Sequence, residues 1–286
     1  MYKRQAEYKK GTAGRFAPGL PAKGDGQLLF MLNGLAKLKD DGQMAIIQNG
    51  SSLFNGDAGS GPSEIRRYLI ENDWLDAIVQ LPGNAFYNTP IATYIWIVMK
   101  NKPVTHQGKV QLIDASACAS SRRKNIGEKK VDITKACRDL IIEAYGAYVN
   151  DTYNGVDENN NTIVVKSKVM DAVDLGYNKI VVETPQFDED GNVIMKKKKP
   201  VADTSKRDTE NVPLAEDIDD YFEREVIPYN QQAWIDKSKT KVGYEIPFTR
   251  TFYEYKQIEP SDVIAARIEE HEKSLMAKLH DLFGGE

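Results

Sequence analysis

The pattern of apolar and polar positions predicts alternating helices and strands in the first part of the chain. Apolar residues recur at i, i+3, i+4 and i+7 over residues 26–39, which predicts an amphipathic helix. The short apolar run at residues 44–48 predicts a buried parallel strand. A second helix is expected over residues 62–72, because it has Pro62 at its start and Glu64 in its first turn.

Three further apolar runs predict strands at residues 74–81, 91–99 and 109–114. No helical pattern separates these three strands. A strand, a helix and a strand, followed by strands without intervening helices, describe the second half of a doubly wound α/β sheet. We expect this sheet to end in an antiparallel hairpin.

The rest of the chain divides into two parts. Residues 116–210 combine a helical pattern at 131–147 with short β-like runs and exposed turns, which predicts a small, loop-rich α+β insertion. Residues 211–286 begin with an acidic helix at 217–226 and end with a long helix, which predicts a C-terminal helical region. The chain therefore divides into residues 1–115, 116–210 and 211–286.

The final helix carries a narrow apolar stripe. We expect the helix to start near Ser261, whose hydroxyl suits a capping position. Positions with 3-4-3-4-3 spacing and one charged interruption form the stripe: Ala265, Ile268, Glu272, Leu275, Leu279 and Leu282. Such a stripe packs either against the helix's own domain or against a partner helix.

Composition limits the class of protein. The chain has 286 residues, 41% of them hydrophobic, which is enough for one substantial core and a smaller module. Its formal net charge is −4, so any contact with DNA must come from a local patch or be shared with a partner. Two cysteines, no signal-like start and no apolar run of about 18 residues predict a cytoplasmic, soluble protein without a membrane span.

Two glycine-containing segments are candidate anion sites. Residues 1–25 form a polar, basic segment that can offer Arg or Lys side chains to phosphates or can be a solvated terminus. The loop at residues 54–61 lies between a strand and a helix, where phosphates bind. Its glycines do not follow G-x-G-x-x-G spacing, and no ribose-binding acid ends the next strand. A flexible surface loop is therefore favoured over a phosphate site.

The chain shows no self-contained set of catalytic residues. Its three histidines are scattered, and neither Cys-x-x-Cys nor His-Glu-x-x-His occurs, so no metal site is predicted. The candidate chemistry lies instead in the aromatic turn Phe86-Tyr87-Asn88, directly after a predicted strand. Enzymes that modify a base hold it between aromatic faces. From chemistry alone, an aromatic pair that closes the sheet edge is favoured over a base-binding site.

Many segments in order resemble one family, the methylation (M) subunit of type I restriction–modification systems. One of them is Leu81-Pro82-Gly83-Asn84-Ala85-Phe86-Tyr87-Asn88-Thr89. The others are residues 14–21, 26–30, 48–54, 65–75, 108–114, 122–125, 207–214 and 241–250. The resemblance implies an S-adenosylmethionine-dependent DNA methyltransferase that acts on adenine N6, together with a specificity (S) subunit and a restriction (R) subunit.

The resemblance also implies site residues. Phe86, Tyr87 and Asn88 match a segment that helps to form the target-base pocket. Arg15 and Lys23 lie where the family passes close to DNA. The last part of the chain matches the region that contacts the S subunit, which gives the stripe of Ile268, Leu275, Leu279 and Leu282 the role of a partner-helix seam.

The chain departs from the family in one large respect. The family's Gly-rich cofactor loop, its cofactor-binding acid and its Asn-Pro-Pro-Phe/Tyr sequence are absent, and no Pro-Pro pair occurs. No catalytic or cofactor-binding residue can be carried over. Residues 1–115 are therefore expected to be the downstream half of the methyltransferase domain, inactive alone. The alternatives are a non-catalytic module that docks on an S subunit or DNA, and an unrelated nucleotide-binding enzyme using residues 56–61.

Overall fold

The structure, a computed structural model, describes residues 6, 9–21, 24–255 and 258–283. Clustering of its contacts separates two compact units, Met1–Thr251 and Phe252–Glu286. All of the strands defined below belong to the first unit. The second unit contains one long helix.

Up to Asp114, the helices and strands of the described residues follow the predicted order, with the short helix Ser51–Phe54 in addition. After Asp114 the structure adds strands that were not predicted, among them Trp234–Ile235 and Lys241–Tyr244 in the part expected to be helical. The helices are α1 (Gln27–Leu35), α2 (Ser51–Phe54), α3 (Gly61–Glu71), α4 (Lys135–Ala147), α5 (Ile218–Glu225), α6 (Phe248–Thr251) and α7 (Ser261–Phe283). The strands are β1 (Gln43–Asn49), β2 (Leu75–Leu81), β3 (Thr93–Met99), β4 (Lys109–Asp114), β5 (Ser120–Ile126), β6 (Lys129–Asp132), β7 (Asp151–Val156), β8 (Thr162–Asp171), β9 (Gly176–Glu183), β10 (Met195–Lys196), β11 (Lys199–Pro200), β12 (Asp208–Pro213), β13 (Trp234–Ile235) and β14 (Lys241–Tyr244).

The main sheet has the strand order β1-β3-β2-β4-β8-β7 within the described residues. β2 and β4 pair in parallel, whereas β3 pairs antiparallel with both β1 and β2. β2 and β3 form an antiparallel hairpin, but it lies inside the main sheet, between β1 and β4, and not at the end of the sheet as we expected. The first unit is an α/β structure. Because β3 is antiparallel to both β1 and β2, these two strands run in the same direction.

The environment predicted for β1 is wrong. β1 is not a buried parallel strand but an antiparallel strand at the end of the sheet, and its residues alternate between exposed and half-buried up to Ile47. An apolar run is buried only if neighbouring strands and helices cover it. β3 covers one edge of β1, and no described strand pairs with the other.

Residues 116–210 contribute strands to the main sheet and to a second sheet, which is described in the next paragraph. Helix α4 begins at Lys135 rather than at residue 131, because β6 extends to Asp132 and Thr134 caps the helix. α4 packs on β7 and β8, which extend the main sheet beyond β4. The division at residues 115 and 210 stays a prediction about domains.

A second sheet is built around β9. It pairs with β12 on one side and with β13 and β14 on the other. Arg66 of α3 is fully buried and donates from Nε to the Tyr244 carbonyl oxygen at 2.6 Å. Its Nη1 donates to the Ser52 and Asn55 carbonyl oxygens at 3.1 and 2.9 Å. Arg66 therefore ties the end of the second sheet to the segment that follows β1.

The second unit is described by α7. The helix includes Ser261 as its first residue, so the predicted cap falls inside the helix. The four seam residues are exposed by 55% at Ile268, 59% at Leu275, 40% at Leu279 and 76% at Leu282. Their role in binding a partner stays a prediction.

Candidate nucleic-acid interface

The aromatic turn, residues 83–90, is a closed structure at the carboxyl end of β2. The Asn84 amide donates to the Pro90 carbonyl oxygen at 3.1 Å, and Phe86 forms an isolated bridge with Thr89. Asn84 adopts a φ of 57°, a left-handed conformation that asparagine tolerates better than most residues. The chain thus reverses direction within the turn and returns as β3.

The hairpin β5–β6 holds the aromatic turn in place. The amides of Glu128 and Lys130 donate to the carbonyl oxygens of Tyr87 and Asn84, each at 2.9 Å. The Asn84 side chain returns a bond to the Glu128 carbonyl oxygen at 3.0 Å. A Cβ on Gly127 would lie 2.7 Å from the Tyr87 carbonyl oxygen, so this close approach needs glycine.

The three residues predicted to form the base pocket have different surroundings. Phe86 is partly buried and packs against the core cluster that includes Val79 and Leu81. Tyr87 is 57% exposed, and Asn88 is also exposed. Lys129 Nζ lies 5.9 Å from the Tyr87 ring centroid and donates to the Ala85 carbonyl oxygen at 3.0 Å. Tyr87 and Asn88 are therefore available to a ligand, whereas Phe86 mainly closes the end of the sheet.

A polar cluster that the sequence analysis did not single out lies at the carboxyl end of β1. Gln27 Nε2 donates to Asn49 Oδ1 at 2.9 Å and to Ser51 Oγ at 3.1 Å. The Asn49 amide donates to Gln27 Oε1 at 2.7 Å. Since β1 and β2 run in the same direction, this cluster and the aromatic turn both lie at the end of the sheet where the carboxyl ends of these strands meet.

Two buried polar atoms lie in the strands that connect these features. Gln48 Oε1 and Thr93 Oγ1 have no hydrogen-bond partner among the described residues. Thr93 pairs with Asn49 on one side and with Leu81 on the other. Buried polar groups are ordinarily hydrogen-bonded. A polar residue at the end of an apolar run was therefore the feature of the sequence that could have pointed to this cluster.

The loop at residues 54–61 is the candidate for an alternative nucleotide site. In the loop at 54–61, Asp57 is held by Lys179, whose Nζ lies 2.8 Å from Asp57 Oδ1 and lowers the pKa of that carboxyl. The backbone of Leu20 runs so close to Gly61 that a Cβ there would lie 2.1 Å from the Leu20 carbonyl oxygen. Residues 54–57 and 59 are exposed, so the loop lies on the surface as we expected, and these two contacts hold it at Asp57 and Gly61. Its flexibility stays a prediction.

Arg15 lies apart from the aromatic turn. It lines a cleft of about 570 Å³ with Tyr68, Trp74 and Lys100. Trp74 directly precedes β2, and the aromatic turn directly follows β2. The cleft and the turn therefore lie at opposite ends of this strand. Arg15 Nη1 donates to Asn33 Oδ1 at 2.7 Å. Lys23, the other predicted DNA contact, lies outside the described residues.

Two further observations concern the described ranges only. They contain no group of three or more His, Cys, Asp or Glu side chains placed to hold a metal ion. None of their helices is both long and apolar enough to cross a membrane. Cys118 and Cys137 are buried free thiols, and burial raises the pKa of Cys118 to about 12.

Comparison with known families defines the class of protein. A model of the N-6 DNA Methylase family matches residues 2–186, which is more than half of the chain. The chain belongs to this family of DNA methyltransferases. The predicted resemblance to type I methylation subunits is confirmed by the relatives described next.

Two relatives are named as methylase subunits of type I restriction enzymes. The MjaIX subunit from Methanocaldococcus jannaschii is 31% identical over 109 residues, which are 37% of this chain and 19% of that protein. The HindI subunit from Haemophilus influenzae is 33% identical over 101 residues, which are 35% of this chain and 22% of that protein. The aligned part of the chain thus spans about a fifth of the length of these curated relatives.

A solved structure is also similar. It is the methyltransferase subunit of a type I restriction-modification system from Streptococcus thermophilus, with 27% sequence identity and a TM-score of 0.45. The alignment covers 56% of this chain and 30% of that one.

Proposed function

We propose that this chain is the downstream part of the M subunit of a type I adenine-specific DNA methyltransferase. The observation that carries the proposal is the aromatic turn, which presents exposed Tyr87 and Asn88 on a fixed backbone at the carboxyl edge of an α/β sheet. Ligands of open α/β sheets bind outside the carboxyl ends of the strands. Membership of the N-6 DNA Methylase family supports a target adenine as the ligand of this site.

The share of this chain in the reaction is to hold the target base. The Tyr87 ring offers a stacking face, and the Asn88 amide offers both a donor and an acceptor to a base edge or sugar. Lys129 above the Tyr87 ring and the bonds from hairpin β5–β6 keep this wall in place before the base arrives. The complete enzyme would transfer a methyl group from S-adenosylmethionine to adenine N6, and its cofactor-binding residues would come from the upstream part of the methyltransferase.

The exposed strand β1 supports the need for that upstream part. Its outer edge has no partner strand among the described residues, and Ile47 is 50% exposed. Phe30 and Phe54, which flank β1 in the sequence, are exposed by 70% and 59%. We infer that the upstream strands pair with β1 and cover these side chains, so the chain alone does not methylate DNA.

The proposed partners are DNA, an S subunit and an R subunit, and the proposed location is the cytoplasm. For the S subunit, the binding element is the seam on α7. Leu275→Glu should abolish co-purification with an S subunit, because a charge would enter the apolar contact. Met276→Glu, on a neighbouring exposed residue outside the seam, should leave co-purification unchanged. Equal effects of both variants would contradict this role of the seam.

The exposed seam also favours a second candidate function, a non-catalytic module that docks on an S subunit. The DNA upstream of the gene separates the two functions. A reading frame that ends with a cofactor loop and an Asn-Pro-Pro-Phe/Tyr sequence supports the split methyltransferase. Its absence, together with S-subunit binding, supports the docking module.

The base-holding role is tested by methylation with the upstream part and an S subunit supplied. Tyr87→Ala should lower kcat/KM about ten- to a hundredfold, because stacking of a base on an aromatic ring contributes about 1–3 kcal/mol. Asn88→Ala should lower it less. Tyr229→Ala, at a tyrosine that is 90% exposed, is the matched control and should change the rate less than twofold, as a surface change of about 0.5 kcal/mol or less implies. A Tyr87→Ala rate equal to that of the control would rule out this role.

A further inference from the structure

The hairpin β5–β6 concentrates positive charge in an acidic chain. Residues 120–132, here called the basic hairpin, contain five basic side chains and two acidic ones, although the whole chain has a net charge of −4. The two acidic residues are Glu128 and Asp132. A local basic patch of this kind is what a DNA contact requires in a chain that is not basic overall.

Asp132 pairs with two of the five basic side chains of the hairpin. Arg122 Nη1 forms an ion pair with Asp132 Oδ2, and Lys129 Nζ lies 3.0 Å from Asp132 Oδ1. The Arg122 guanidinium and the Lys129 ammonium together hold the pKa of Asp132 below its ordinary value. Arg122 and Lys129 therefore have structural partners inside the hairpin.

Three basic side chains remain on the outside of the hairpin. Arg123, Lys124 and Lys130 are exposed. None of them has a carboxylate oxygen within 4.0 Å among the described residues. Their charge is therefore directed to solvent, where a polyanion can bind it.

The position of these side chains connects them to the proposed base site. The Lys130 amide donates to the Asn84 carbonyl oxygen at 2.9 Å, and the Glu128 amide donates to the Tyr87 carbonyl oxygen at the same distance. The basic hairpin and the aromatic turn thus form one backbone-linked body. These bonds fix the basic hairpin beside the turn that carries Tyr87.

We propose that Arg123, Lys124 and Lys130 bind the DNA phosphates that flank the target nucleotide, an inference that rests on the proposed function. Phosphate contacts fix the register and orientation of a protein on the duplex and carry no sequence information. This division suits a subunit that holds the base while a separate subunit reads the sequence. The basic hairpin, rather than Arg15, is then the principal DNA contact of this chain.

The test is the salt dependence of binding of the full chain to an adenine-containing DNA duplex, measured by fluorescence anisotropy. The triple variant Arg123→Gln, Lys124→Gln, Lys130→Gln should raise Kd at least tenfold. It should also lower the slope of log K against log[salt] by about 2 to 3, because each lost phosphate contact removes about 0.9. The charge-conserving triple variant Arg123→Lys, Lys124→Arg, Lys130→Arg should bind within about twofold of the wild type, as the retained charges imply.

The hairpin β10–β11 offers a matched control. Lys197, Lys198 and Lys199 are also exposed and basic, so Lys197→Gln, Lys198→Gln, Lys199→Gln removes the same charge elsewhere. This variant should retain wild-type affinity within about twofold if nonspecific charge contributes little. Equal losses in both glutamine variants, no loss in either, or no measurable duplex binding by the wild-type chain would overturn the proposal.

Methylation by the reconstituted enzyme separates this proposal from the proposed function. If the wild type methylates DNA and the basic-hairpin variant binds and methylates equally well, the phosphate role fails and the proposed function stands. If the reconstituted wild type does not methylate DNA, the proposed function fails, whatever the DNA affinity of the hairpin variants.

Discussion

Strands β1 and β2 carry similar apolar sequences but lie in different surroundings. β2 is central in the main sheet, between β3 and β4, and Ile78 in its middle is fully buried. β1 is the last strand on the other side of β3, and Ile47 is 50% exposed. The amino-acid pattern sets which residues favour burial, but the neighbouring strands decide whether burial occurs.

The two sides of the main sheet differ in the same way. The side beyond β4, here called the closed side, ends in β8 and β7, on which α4 packs, and β7 carries mostly polar residues. The other side, here called the open side, ends at β1, which carries an apolar run. Among the described residues, neither β1 nor β7 has a partner strand on its outer edge, so the two sides differ in the apolar character of that last strand. Natural proteins protect exposed edges, because such an edge pairs readily with another chain. The difference supports the proposal that further strands belong on the open side.

The largest expected effect compares isoleucines on the two strands. Ile78→Ala should lower the free energy of unfolding by about 2–5 kcal/mol, because it opens a cavity in the core. Ile47→Ala should lower it by less than about 1 kcal/mol, since the side chain is already half exposed. Urea unfolding of both variants checks the comparison, and equal losses would show that β1 is as well covered as β2.

A substitution of Arg66 tests how much its hydrogen bonds stabilise the segment that follows β1 on the open side. Arg66→Met should lower the free energy of unfolding by about 2–4 kcal/mol, because it leaves the buried carbonyl oxygens of Tyr244 and Ser52, and the part-buried one of Asn55, without their donor. The neighbouring Arg67 is partly exposed and pairs with Glu71 at 2.9 Å. Arg67→Met should cost less than about 1 kcal/mol. A small loss at Arg66 in the same unfolding experiment would contradict its role as a tie.

Self-association tests whether the edge of β1 is available. The isolated chain should associate with increasing concentration, and the double variant Ala45→Lys, Ile47→Lys should shift association to higher concentration, because charges on an edge strand oppose pairing. Ile142→Lys, on an isoleucine of α4 that is 65% exposed, is the control and should have no effect. Sedimentation velocity measures all three proteins. A wild-type chain that remains monomeric would mean that β1 is not an open edge.

The closed side has its own, smaller test in the turn between β7 and β8. Hydrogen bonds from Ser120 and Asn161 lower the pKa of Asp157 to about 2. The folded-state pKa is below the unfolded value, so this stabilisation is present above about pH 4 and is lost as the pH falls towards 2. Asp157→Asn should make unfolding less dependent on pH in that window. Asp188→Asn, in an exposed turn of similar geometry, should have a weaker effect on the same acid-unfolding curve.

The periodicity of the sequence was sufficient to predict the strands up to β4 and the longer helices, but not the short strands after β4. Strands β2, β3 and β4 and helices α1, α3 and α5 were predicted to within a few residues, because their apolar patterns match their final environments. β1 was predicted as a strand but with the wrong neighbours. Burial of β1 depends on chain that is distant in sequence, which a local pattern does not encode.

The candidate site was predictable only in part. The aromatic turn was visible as Phe86, Tyr87 and Asn88, but not the division between a half-buried Phe86 and an exposed Tyr87. The link between Lys130 and Asn84 joins residues 46 positions apart in the sequence and could not be predicted from spacing. The basic residues of the hairpin were visible in the sequence, but their position beside the turn depends on tertiary structure.

The central claim is that this chain supplies the base-holding part of an adenine methyltransferase whose cofactor part lies upstream. The most direct test measures the transfer of labelled methyl groups from S-adenosylmethionine to adenine in duplex DNA, with an S subunit present. The account predicts no transfer by this chain alone and clear transfer when the upstream polypeptide with the cofactor loop and Asn-Pro-Pro-Phe/Tyr sequence is added. Transfer by this chain alone, or none by the mixture, would contradict it.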